Sequence, residues 1–129
     1  MGSFYFANLD KKEHIVVETG KILRLEFTTF AVFVGLGGNI NTCPTDFVRI
    51  TDGDGTTLLD NSCGYSDASH SSHVHHQFYF QPPIITSKTN KVEIYFHTDS
   101  NPFNSGYGLA EGWSLRWTAV AEGGYFLLS

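Results

Sequence analysis

The sequence predicts an all-β domain, an antiparallel sandwich of two sheets, and three observations carry that expectation. Several runs alternate apolar and polar side chains with period two, the signature of strands with one wet face. β-Branched and aromatic residues dominate those runs, while glycine and asparagine collect between them. No window holds a helical stripe, and short alternating strands separated by turn signals suit a sandwich.

The elements follow in chain order. ILRLEFTTF sets Leu23, Leu25 and Phe27 on one face and Arg24, Glu26 and Thr28 on the other. DFVRIT reads as a strand, Asp-Gly-Asp-Gly as a turn whose glycines supply positive φ, and TTLLD as the returning strand. KVEIYFHT alternates Val92, Ile94 and Phe96 with Lys91, Glu93, Tyr95 and His97. SLRWTAV alternates Leu115, Trp117 and Ala119 with Ser114, Arg116 and Thr118, which assigns Trp117, like Trp113, to strand packing. Two loops are compositionally odd: GYSDASHSSHVHHQ at 64–77 and DSNPFNSGYGLAEG at 99–112.

At 129 residues the chain fits one domain with a single core, and no linker or repeat divides it. Thirteen acidic against eight basic side chains give a formal charge of -5, and no Lys/Arg cluster occurs, which argues against nucleic acid as a partner. No apolar run approaches bilayer length, so no membrane span is expected. The opening MGSF lacks the basic and apolar regions of a signal peptide.

Cys43 and Cys63 allow one internal pairing around an acidic, glycine-rich run. An EF-hand beginning at Asp52 fails, because its sixth and twelfth positions hold Thr57 and Cys63. GYSDA lacks the second glycine of a nucleophile elbow. A hairpin remains, with either a bridge closing its base or two free thiols.

These residues resemble the second half of a CUB domain. The match runs Cys43, Asp46-Phe47-Val48, Ile50, Asp52-Gly53, Leu58-Leu59 and Cys63-Gly64, and continues through PPIITSKTNKVEIYFHTDSN and GWSLRW. Upstream, GKILRLEFTTF is similar to the strand before this cysteine pair. The resemblance is strongest over 13–120, within one domain spanning 1–129; the tail 121–129 has no counterpart. It implies a jelly-roll-like sandwich, a Cys43–Cys63 disulfide and a secreted, extracellular setting. The family's other disulfide is absent, both of its cysteines being missing.

The resemblance also implies a calcium site at one end, built from Asp46, Asp99 and the following Ser100 and Asn101. The glutamate that the family adds falls near Phe33, and no acid lies between Glu26 and Asp46, so one anionic ligand is missing. His70, His73, His75 and His76 form a second candidate site, for zinc or copper, with Asp67 as a candidate oxygen ligand; a solvated polar loop is the plainer reading. Phe33, Phe103 and Tyr107 are candidate partner contacts, with burial in the open end of the sandwich as the alternative.

No nucleophile–base pair is assembled by motif, and CUB domains are in general non-catalytic. The expected function is therefore recognition of an extracellular protein or small ligand. A structural or matrix component, or a metal-binding protein using the His-rich loop 70–76, is the alternative.

Overall fold

A computed structural model describes residues 7–67, 78–99 and 112–121. Eight strands occur among them: β1 (Asp10–Val16), β2 (Lys21–Val32), β3 (Phe47–Asp52), β4 (Thr57–Ser62), β5 (Gly64–Tyr65), β6 (Ile85–Thr86), β7 (Lys91–His97) and β8 (Gly112–Ala121). They form two sheets in which every named strand pair is antiparallel. The first has the order β1-β7-β3-β4. The second is built on β2. Arg24 and Leu25 pair with both β6 and β8, and Ala31 with both β5 and β8, so β8 takes one edge of β2 and two short strands share the other.

The alternation read from the sequence places the core. Leu23, Leu25 and Phe27 of β2 are buried, as are Val48 and Ile50 of β3 and Val92, Ile94 and Phe96 of β7. A register shift between Phe27 and Thr29 then resets the parity of β2. Thr28 and Thr29 both stay exposed, and their hydroxyls lie 2.6 and 2.7 Å from Ser114 Oγ. The reset brings Phe30 back inward, 5.3 Å from Phe27 in an edge-to-face contact.

Cys43 and Cys63 are joined, with Cα atoms 5.7 Å apart, and both are buried in the core. The bridge ties the segment before β3 to the β4–β5 junction, so the β3–β4 hairpin is closed at its base.

Two expectations need correction. In the Asp-Gly-Asp-Gly turn only Gly55 has positive φ, at 93°. Gly53 is required for close approach instead: a Cβ there would stand 2.6 Å from Thr89 Oγ1. Trp117 is 49% exposed rather than packed. It lies opposite Leu25 on the inward side of β8, but among the described residues β8 pairs with β2 alone and that side is incompletely covered. Trp113 does pack, with its ring 5.8 Å from Phe27 and 6.0 Å from Phe96.

Asp52, at the end of β3, is 3% exposed. Its carboxylate accepts the N–H groups of Gly53 (2.7 Å), Lys88 (2.7 Å) and Thr89 (3.3 Å), and the Thr89 hydroxyl (2.6 Å). A buried carboxylate survives only with such donors. Asp52→Ala strands them and should destabilise the domain by about 3 kcal/mol in denaturant titration. A loss below about 1 kcal/mol would show that the turn holds without it. Reduction of the bridge, at a sequence separation of 20 residues, should cost about 3 kcal/mol and lower the Tm by about 10 °C. Thiol labelling of the non-reduced protein checks that the bridge was there to lose.

Candidate functional site at the Asp46–Asp99 end

β3 and β7 are antiparallel neighbours with Phe47 opposite His97, so the residue before β3 meets the chain leaving β7. The Asp99 N–H donates to Asp46 Oδ1 at 3.0 Å, and Asp46 is 3% exposed. A third segment joins there. The Asn8 N–H donates to the Asp99 carbonyl (2.9 Å), the Thr98 N–H to the Leu9 carbonyl (3.0 Å), and the Leu9 N–H to Thr98 Oγ1 (2.8 Å). Asn8 has φ of 59°, which asparagine tolerates better than most residues. Thr45 Oγ1 is buried beside this knot with no hydrogen-bond partner among the described residues.

The two aspartates singled out from the sequence are thus brought together, while Ser100 and Asn101 lie outside the described residues. Phe33 is buried at 2% exposure directly after β2, which is the alternative given for it rather than an exposed partner contact. Phe103 and Tyr107, and the histidines His70, His73, His75 and His76, lie outside the described residues. Asp67, the oxygen ligand considered for those histidines, accepts the Tyr79 hydroxyl at 3.4 Å.

Calcium takes six to eight oxygens. The oxygens that the family resemblance offers at this end are the carboxylates of Asp46 and Asp99 with backbone oxygens, and the family's glutamate position falls near Phe33. Among the described residues, no group of three His, Cys, Asp or Glu side chains could hold a metal. The set falls one anion short of a three-carboxylate site.

A second polar constellation was not anticipated from the sequence. On the outward face of the first sheet, Asp10, His97 and Phe47 form one cross-strand row, and Lys12, Tyr95 and Arg49 the next. Asp10 accepts the Tyr95 hydroxyl and lies 2.7 Å from His97 Nδ1. His97 stacks on Phe47 at 5.2 Å. The bond from Tyr95, then that from His97, holds the Asp10 carboxyl below the usual carboxylate range, and the same bond pushes the Tyr95 phenol up. Alternation put Tyr95 and His97 on a wet face; only register put Asp10, Phe47 and Arg49 beside them.

The CUB domain family model matches residues 5–110. Cubilin from Rattus norvegicus is 32% identical over 108 residues, 83% of this chain and 2% of cubilin. Cubilin from Sus scrofa is 31% identical over 113 residues, 86% of this chain and 3% of that protein. The chain therefore spans a few per cent of the curated relatives it matches. Among solved structures, the CUB1-EGF-CUB2 domain of human MASP-1/3 aligns with a TM-score of 0.62 at 19% identity, covering 92% of this chain and 38% of the other. The MASP-1 CUB2 domain bound to Ca2+ aligns with a TM-score of 0.60 at 20% identity, covering 88% and 80%. Those two likenesses establish the fold.

Asp10 gives a pH test. A carboxyl whose folded pKa lies below its unfolded value contributes stability that is present above the unfolded value and lost as pH falls through the folded one. Asp10→Asn should therefore make the fall of Tm below about pH 4 shallower. A parallel fall in both proteins would mean the Asp10–Tyr95–His97 cluster does not form in solution.

Proposed function

Because the chain belongs to the CUB domain family, we propose that it is a non-catalytic extracellular recognition module whose partner, a protein or other ligand, docks at the Asp46–Asp99 end with calcium as a weak structural aid. CUB domains are generally extracellular protein-interaction modules and typically non-catalytic. The observation that supports the reading is the 3.0 Å bond from the Asp99 backbone N–H to Asp46 Oδ1, which brings the two aspartates to one end of the sandwich. A related fold, the MASP-1 CUB2 domain, has been solved bound to Ca2+.

Asp46 and Asp99 would hold the ion together with backbone oxygens. The ion would neutralise two neighbouring carboxylates and fix the loop they belong to. A carboxylate oxygen has more than one lone pair, so Asp46 can accept the N–H and still serve as a ligand. With the family's glutamate missing, affinity should fall at the weak end of extracellular modules, near a Kd of ~1 mM.

An ion bound to the native state alone stabilises by mass action. At 10 mM calcium and that Kd the gain is about 1.4 kcal/mol, or a Tm rise of about 5 °C over calcium-free buffer. Asp99→Ala should abolish the rise without unfolding the end, since the bond to Asp46 uses the Asp99 backbone. Identical melts of the parent protein with and without calcium would overturn the calcium role and leave the two aspartates as turn caps.

A further inference from the structure

We propose that the outward face of the β1-β7-β3-β4 sheet carries a second recognition surface, the Lys12–Tyr95–Arg49 row, which takes a carboxylate-bearing segment of a protein partner. It uses neither Asp46 nor Asp99 and is independent of calcium.

The row is set by register, Lys12 and Arg49 both lying opposite Tyr95 from the two flanking strands. Lys12 Nζ stands 5.5 Å and Arg49 Cζ 5.0 Å from the centre of the Tyr95 ring, and Arg49 Cζ is 5.6 Å from that of Phe47. A ring face orients a cation without neutralising it. Among the described residues, Lys11, Lys21, Arg24 and Arg116 each have a carboxylate within 4.0 Å. Lys12, Arg49, Lys88 and Lys91 have none, on a chain with an acidic surplus, and of these only Lys12 and Arg49 stand over an aromatic ring. Arg49 spends one N–H on Asn61 Oδ1 at 3.2 Å. Its remaining donors form a planar fork that suits a carboxylate. Asp10, in the adjoining row, is already engaged by Tyr95 and His97.

Charge pattern selects the occupant. The basic row is flanked by Asp10 on one side and by Glu93, paired with His14 at 3.1 Å, on the other. A long polyanion would have to lie across those carboxylates. One or two carboxylates between apolar side chains would meet Lys12 and Arg49 while the apolar groups cover Phe47, Tyr95 and His97. Such a contact should depend on salt, because Lys12 is exposed and Arg49 half-buried.

The test is an amide NMR titration in calcium-free buffer with the peptide acetyl-Glu-Leu-Glu-Leu-amide. Its glutamine counterpart and a heparin hexasaccharide serve as comparisons. Shifts should concentrate in β1, β7 and β3, weaken several-fold between 50 and 300 mM salt, and be absent with the glutamine peptide. The K12Q/R49Q double variant, checked for folding by its own spectrum, should lose at least tenfold in affinity, and K88Q, off this face, should lose nothing. Heparin binding without peptide binding, or acidic-peptide shifts that the double variant leaves unchanged, would overturn the proposal.

Discussion

Burial of the inward side of β2 against β3 and β7 is the contact on which the rest of the molecule depends. Leu23, Leu25, Phe27 and Phe30 share one cluster with Val48, Ile50, Val92, Ile94 and Phe96. Each such side chain contributes about 2 kcal/mol of transfer free energy. β2 also places its whole sheet, since β5, β6 and β8 pair with it and not with one another. The bulge at Thr28–Thr29 lets one strand serve two stretches of core, at the cost of a locally interrupted ladder.

Two buried aspartates then lock the first sheet. Asp46 and Asp52 bracket β3, and each accepts backbone N–H groups from a segment flanking β7: Asp99 after it, Lys88 and Thr89 before it. A one-residue slip of β3 against β7 would break both closures and turn Val48 and Ile50 outward, so polar and apolar terms favour the same register. The disulfide adds a third restraint, holding the base of the β3–β4 hairpin in the core. One aspartate thus serves the turn alone, while the other sits where a family ligand is expected. Burial is alike at both, each 3% exposed, and the neighbours at each end make the difference.

The inward face of β1, the edge strand of its sheet among the described residues, is unlike that of its neighbours. Lys11 and Glu13 lie opposite Phe96 and Ile94 and pair with each other at 3.3 Å. They rim a cavity of about 340 Å³ floored by Leu9, Ile94, Phe96 and Trp113. Inward-pointing charges on an edge strand discourage edge-to-edge pairing with another sheet. The two proposed recognition surfaces, the outward Lys12–Tyr95–Arg49 row and the Asp46–Asp99 end, lie off this inward face.

By itself the sequence determined the class of fold, the inward residues of β2, β3 and β7, the β3–β4 hairpin and the single cysteine pair. These are local matters: period-two alternation, turn residues and motif spacing are written in neighbouring positions. It also marked Asp46 and Asp99, although nothing local showed that a backbone N–H of one would cap the other. Tertiary structure alone decided the rest. Phe33 is buried, Trp117 stays half exposed on β8, Gly53 is needed for contact with Thr89, and Lys12, Tyr95 and Arg49 share a row. Each of these depends on which strands become neighbours and in what register, and that is fixed by burying β2 and closing both ends of β3, not by any stretch of chain read alone.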